Sequence, residues 1–347
     1  ALIVVVVVIV AILVVTAVVL YLRRRLVRDP FAPGRQRQVA RAVLIGSVAQ
    51  PLRREVPRFR EFRRARVELW HECKDVDLAV WVQGARPRTL GASITPVVVG
   101  TAAAGVFVPW RFVAALLVGL GLQVGVNLAN DYHDGVRGVD TRERLGPPRL
   151  TSSGLAPARS VLIASLGCVL VAGVSGLALA AATTWWLVPI GALAMLALWL
   201  YSGGPRPYAE LGLGEVMVFL FFGVMATAGS AYVQAETVPA AAWWASVPMG
   251  LLAVAILVAN NLRDIPTDAV AGKRTLAVRL GDRRTRTLYR VCIVGAFAAI
   301  VLGTLVDVLD EGSGLSPWSL LALAAAVAAV GPFQRVGQAR GRDLIPV

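Results

Sequence analysis

Residues 112–135 read FVAALLVGLGLQVGVNLANDYHDG, an apolar run that closes on a cluster of carboxylates. About 20 apolar residues suffice to cross the hydrocarbon of a bilayer as a helix. Similar runs recur at about 1–22, 89–107, 112–130, 160–181, 184–201, 213–233, 243–262, 288–306 and 316–332. The chain has 347 residues and is 57% hydrophobic, far too apolar for a soluble domain of this length. Strict alternation of apolar and polar residues is absent, which argues against a membrane β-barrel. The expected fold is therefore all-α, a polytopic membrane helical bundle.

The acidic end of this run has a second copy. Asn127–Gly135 reads NLANDYHDG and Asn260–Asp268 reads NNLRDIPTD. In each, Asn is followed four residues on by Asp, and a second Asp comes three or four residues later. On a helix, Asn127, Asp131 and Asp134 share one face, as do Asn260 and Asp264. Asp268 would follow on that face, but Pro266 is expected to bend or end the helix first. Carboxylates are costly near a bilayer, so clusters of them mark a functional site by default. Grouped carboxylates repel unless a cation holds them, and hard oxygen ligands suit Mg²⁺, which bridges carboxylates to substrate phosphates. Asp131, Asp134, Asp264 and Asp268 are thus the candidate metal and catalytic residues. Asn127, Asn130, Asn260 and Asn261 are the neutral polar members of the two motifs and candidate substrate-binding residues. The alternative is that the carboxylates only cap helix ends against loop arginines.

Cations follow both motifs: Arg137, Arg142, Arg144 and Arg149 after the first, Lys273 and Arg274 after the second. Guanidinium groups grip phosphate in a bidentate manner, whereas lysine acts as a point charge. Lys273 is the only lysine after Lys74 in a chain that otherwise uses arginine. Charge also orients the chain. The expected long loops at 131–159 and 263–290 and the tail after 332 are rich in arginine, whereas the short loops at 182–184, 234–242 and 307–315 contain no Lys or Arg. Positive segments face the cytoplasm. Both acidic motifs are therefore expected on the cytoplasmic side of the inner (cytoplasmic) membrane, in a multi-pass protein.

The formal net charge of +14 is concentrated in one place: residues 23–66 hold 14 arginines against Asp29, Glu55 and Glu61. Such a segment is drawn to anionic lipid, and no nucleic-acid-binding module accompanies it. Residues 1–28 are expected to form an extra N-terminal transmembrane helix with stop-transfer arginines. Residues 29–77 form a basic Pro/Arg-rich linker, and 78–347 the main domain. Cys73, Cys168 and Cys292 show neither metal nor disulfide spacing.

A Mg²⁺-bound diphosphate facing a greasy helical bundle points to an isoprenoid substrate. Metal neutralises the leaving diphosphate, and a carbocation then needs a dry, aromatic pocket. Tyr132, Tyr201, Tyr208, Phe219, Phe221, Phe222 and Tyr232 are the aromatic candidates. Four segments carry a family resemblance: VQGARPRTLGASITPVVVGTAAA (82–104), NLANDYHDGVRGVDTRERLGPPRLTSSG (127–154), YSGGPRPYAELGLGEVMVFLFFG (201–223) and NNLRDIPTDAVAGKRTLAVRLG (260–281). Together they resemble the UbiA superfamily of intramembrane aromatic prenyltransferases, and within it the branch that uses 1,4-dihydroxy-2-naphthoate. The resemblance implies nine transmembrane helices, of which the chain from Leu78 supplies eight, so a C-terminal truncation is expected. It also implies that the four aspartates bind Mg²⁺-diphosphate, with Asn127 and Asn260 assisting. Arg137, Lys273 and Arg274 would meet diphosphate, and Arg86 or Arg88 the diphosphate or the acceptor carboxylate. The implied reaction joins a polyprenyl chain, from polyprenyl diphosphate, to the naphthoate carbon bearing the carboxylate, losing CO₂ and diphosphate in menaquinone biosynthesis. The 4-hydroxybenzoate branch carries Tyr-x-x-x-Lys where this chain has Tyr201 and Pro205, so no lysine role transfers. The rivals are a 4-hydroxybenzoate prenyltransferase and, from another class, an ion-coupled transporter.

Overall fold

The computed structural model describes residues 78–138, 148–204 and 207–339. The expected N-terminal span and the basic linker lie outside the described residues. Among those residues the chain is helical, with no strand. We number the helices α1 (Leu78–Ala85), α2 (Pro87–Ala103), α3 (Pro109–Arg137), α4 (Ala158–Ala182), α5 (Leu187–Ser202), α6 (Gly214–Ala235), α7 (Ala240–Val270), α8 (Leu276–Leu309) and α9 (Pro317–Gln338). Each of the eight spans expected after Leu78 falls on one helix from α2 to α9. Six of these, α3, α4 and α6 to α9, are long and apolar enough to cross a membrane, and α5 is apolar but shorter.

Sequence punctuation sets the boundaries. Proline opens α2, α3 and α9, where its missing N–H leaves no intrahelical bond unmade. Gly138 ends α3 in the left-handed region at φ 66°. The central part of α6, Phe219–Met225, is wound as a π-helix.

Successive helices alternate in direction, whether the connection is a few residues or, as between α3 and α4, the whole of 138–157. That alternation brings the starts of α2, α4, α6 and α8 to one end, together with the C-terminal ends of α3, α5 and α7. Both acidic motifs lie at that end because they close α3 and α7, two odd-numbered helices. α3 packs on α4 and α5, α7 packs on α8, and α2 lies against α3, α6 and α7. Small residues let the backbones approach, as is usual where lipid supplies no hydrophobic drive between helices. A Cβ on Gly223 of α6 would come within 2.5 Å of the Gly250 Cα of α7, so glycine is required at that crossing.

The lipid-facing surface is apolar. Leu193, Val294, Leu305, Leu321 and Val327 are exposed on the helix flanks. Trp185, Trp186 and Trp318 stand exposed at the end opposite the acidic motifs, as interfacial anchors do. The molecule is a multi-pass membrane protein.

Two sequence expectations are corrected. The first concerns α7, which runs through Pro266 to Val270 and keeps Asp268 on the helix that bears Asp264. Pro266 lies within the last turns, where few hydrogen bonds are at stake. The ladder resumes with Ala271 N–H to the Thr267 carbonyl at 3.0 Å, and the Thr267 hydroxyl donates to the Asp264 carbonyl at 3.0 Å. The second concerns 263–290, which is mostly helical rather than a long loop. A tight turn at 271–275 leads into α8, capped by Thr275, whose hydroxyl accepts from Val278 N–H at 3.4 Å. This segment is amphipathic: Ala277, Thr285 and Tyr289 are buried while Arg283 and Arg284 are exposed. Averaged hydropathy hides such a helix. Gly281, at φ 74°, kinks it between the surface part and the membrane part.

Candidate functional site

At the shared end of α3 and α7, buried acids and cations alternate. Asp131 and Asp134 are 1% and 4% exposed. Charges so deeply buried persist only when paired and hydrogen-bonded. Asp131 accepts from Arg86 Nη2 at 2.7 Å, from Arg149 Nη1 at 2.6 Å and from the Leu150 N–H at 3.1 Å. Asp134 accepts from Arg149 Nη2 at 3.3 Å and from Lys273 Nζ at 3.0 Å. Arg149 is held where it is by its neighbour: Leu150, fully buried, packs on Leu128, Ala156 and Val161.

Lys273 comes from the turn that follows the other motif. Gly272, at φ 77°, turns the chain past α7. The Lys273 N–H closes that turn on the Asp268 carbonyl at 2.9 Å. Its side chain then crosses to Asp134, so the segment after the second motif is pinned to the first. The isolated lysine of the sequence thus has a place at the centre.

In the second motif, Arg263 grips Asp264 through Nε and Nη2, each at 2.7 Å, and reaches the Asn260 amide oxygen at 3.1 Å. Asn261 donates to Glu215 at 3.0 Å, and Glu215 is a buried carboxylate opening α6. Asp268 is half-buried one turn beyond Asp264.

The remaining expected residues take varied places. The Asn127 amide donates to the Ala85 carbonyl at 3.0 Å and to the Thr89 hydroxyl at 3.3 Å. Asn130 accepts from the Ser202 hydroxyl at 2.6 Å, which also lies 3.2 Å from His133 Nδ1. Tyr201 meets Tyr208 edge-on, with ring centroids 5.4 Å apart. Burial pushes the Tyr208 phenol above the usual tyrosine range, so it stays neutral at physiological pH. Arg137 pairs with Glu210 at 2.9 Å rather than with the aspartates. Arg88 and Arg274 are exposed, and of the two arginines beside Pro87 it is Arg86 that reaches Asp131.

Sequence reasoning missed Glu215, Arg263, Ser202 and His133. Arg263 was visible as a cation inside the second motif, and Glu215 as an acid at the head of an apolar span. Ser202 and His133 carried no signal, because their roles come from the α3–α5 contact.

By donor chemistry the four aspartates fit a hard divalent cation: they offer carboxylate oxygens with amide oxygens beside them. Among the described residues no three His, Cys, Asp or Glu side chains converge. Asp131, Asp134 and Asp264 are instead shared out among Arg86, Arg149, Arg263 and Lys273. Such a site has both halves of what a metal–diphosphate ligand needs, anions for the cation and cations for the phosphates.

Comparison with known proteins agrees in fold and sequence. The profile of the UbiA prenyltransferase family matches residues 93–343. The 1,4-dihydroxy-2-naphthoate octaprenyltransferase of Mycobacterium tuberculosis is 48% identical over 273 residues, which is 78% of this chain and 90% of the relative. The enzyme of the same name from Escherichia coli is 38% identical over 231 residues, 64% of this chain and 75% of the relative. Among solved structures, a UbiA homolog from Archaeoglobus fulgidus bound to GPP and Mg²⁺ superposes with a TM-score of 0.55 at 16% identity, over 77% of this chain and 93% of that one.

Proposed function

Because the chain belongs to the UbiA prenyltransferase family, we propose that it transfers a polyprenyl group from polyprenyl diphosphate to 1,4-dihydroxy-2-naphthoate, a step of menaquinone biosynthesis. The observation that carries the site assignment is the ion pair between Asp134 of the first motif and Lys273, just past the second, with Arg149 on the same carboxylate. The relatives named for this reaction match most of their own length.

In this reading Asp131, Asp134, Asp264 and Asp268 would hold Mg²⁺, which when bound would neutralise diphosphate as a leaving group. Arg86, Arg149 and Lys273 exchange part of their carboxylate bonding for phosphate oxygens. Asn260 accepts from Arg263 and Asn261 donates to Glu215 beside the second motif. The C1–O bond of the prenyl donor breaks with its electron pair leaving on diphosphate. A bond forms between C1 and the ring carbon bearing the carboxylate. The C–CO₂ bond then breaks, and its electron pair restores the aromatic ring. The apolar bundle excludes water that would quench the allylic cation, and Tyr201 and Tyr208 present ring faces that stabilise it. The site opens on the cytoplasmic side of the cytoplasmic membrane, where Mg²⁺ and naphthoate are dissolved. Residues 78–347 act as one prenyltransferase domain.

Membranes containing the protein are incubated with labelled polyprenyl diphosphate and either naphthoate or 4-hydroxybenzoate. The expected result is prenylated product and CO₂ from the naphthoate alone. Product from 4-hydroxybenzoate, or solute transport in liposomes without any product, overturns the reading.

A further inference from the structure

A stripe of polar residues continues from the acidic site into the membrane part of α3. Gln123, Asn127 and Asp131 are spaced four apart, on one face, and are 6%, 5% and 1% exposed. Buried amides at this depth are expensive unless satisfied. Here both satisfy one hydroxyl. Thr89 of α2 accepts from Gln123 Nε2 at 3.1 Å and from Asn127 Nδ2 at 3.3 Å, and donates to the Arg86 carbonyl at 2.9 Å. That uses the donor and both acceptor positions of the hydroxyl. Asn127 also holds the Ala85 carbonyl at 3.0 Å, and Ser93 donates to the Gln123 amide oxygen at 3.4 Å.

The group at the end of this chain of bonds is unusual. Arg86 sits between α1 and α2 at φ 54°, ψ 70°, in the left-handed region. An L-residue other than glycine is strained in this sparsely populated region, and persists there only when its surroundings enforce it. Its two flanking carbonyls are the ones that Thr89 and Asn127 hold. Its guanidinium meets Asp131 at 2.7 Å. Glycine would make the same turn without strain, so the strain is borne for the side chain.

We propose that Gln123 is a positioning residue for prenyl-diphosphate binding. Through Thr89 it holds the Arg86 backbone in its left-handed turn and so aims the guanidinium at the Asp131 end of the site. Asn127 holds the Ala85 carbonyl on the other side of Arg86 from one turn nearer the site. This rests on the assignment of the Asp131–Arg86 end to diphosphate.

The test is binding of a non-ionising thio-analogue of a prenyl diphosphate, with Mg²⁺, by calorimetry on the detergent-solubilised full chain. Thr89→Val and Gln123→Leu are each expected to weaken binding on the order of tenfold, the usual effect of losing a partner that orients a ligand. Thr89→Ser, which keeps the hydroxyl, is expected to bind like the parent. The KM for the naphthoate acceptor should hardly move, whereas the Tm of Thr89→Val is expected to fall because two buried amide donors lose their acceptor. In an Arg86→Gln background, itself weak, neither change should weaken binding further. The same fold-loss in that background overturns the brace, as does parental binding by Thr89→Val. If Arg86→Gln binds like the parent, the diphosphate assignment falls and the brace with it. If Arg86→Gln is weak but the losses add, only the brace falls. Should Gln123→Leu not fold, Thr89→Val carries the same comparison.

Discussion

Asp131 and Asp264 occupy equivalent places in the two motifs, yet their surroundings differ. Asp131 faces two arginines and a backbone N–H, with the Arg149 side chain only 8% exposed. Asp264 faces the adjacent Arg263, and its own side chain is 12% exposed. Removing one partner of a buried pair leaves the other charge stranded, at a cost of about 3–5 kcal/mol. Asp131→Asn is therefore expected to abolish prenyl transfer and to lower the Tm. Asp264→Asn is expected to abolish transfer and, by stranding Arg263, whose side chain is 7% exposed, to lower the Tm as well. Turnover assays beside thermal melts in detergent check both, and near-normal turnover in either variant sinks the metal-site assignment.

At the level of elements, α7 matters most, because a single unbroken helix carries Asn260, Asp264 and Asp268. Its continuity through Pro266 means that the proline is not a hinge on which the site depends. Pro266→Ala restores one backbone donor but loosens the unfolded chain, two effects of opposite sign and each below about 1 kcal/mol. The expected outcome is retained activity and a Tm close to that of the parent. Loss of turnover in Pro266→Ala would show that a local break at Pro266 places Asp268. The amphipathic start of α8 is a second such element. Its arginines lie along the surface at the motif end of the bundle, consistent with the orientation read from charge.

For the whole molecule, antiparallel alternation explains why two motifs far apart in sequence share one end. Orientation can be read directly with single cysteines in a cysteine-free background. Glu311→Cys, at the tryptophan-bearing end, is expected to react with a membrane-impermeant maleimide in intact spheroplasts. Ser153→Cys, beside the acidic end, is expected to react only after lysis. The reverse pattern would invert the topology. Metal dependence belongs to this scale too, since both helix pairs must contribute ligands. EDTA is expected to remove activity and Mg²⁺ to restore it, and a chelator-insensitive enzyme refutes the assignment.

That the chain is all-helical and multi-pass, and that its acidic motifs end apolar helices, was legible in the sequence, because each depends on local composition: apolar length and spacing along one helix. That Asp131 and Asp134 share a face of α3 was legible for the same reason, helical periodicity. What tertiary structure decided was pairing. Lys273 meets Asp134 across 139 residues, and Gln123 meets Thr89 across 34. Whether Arg86 or Arg88 reaches Asp131 turned on one left-handed residue at the α1–α2 junction. Contacts of this kind depend on how α2, α3 and α7 pack, and on backbone geometry that neither spacing nor composition encodes.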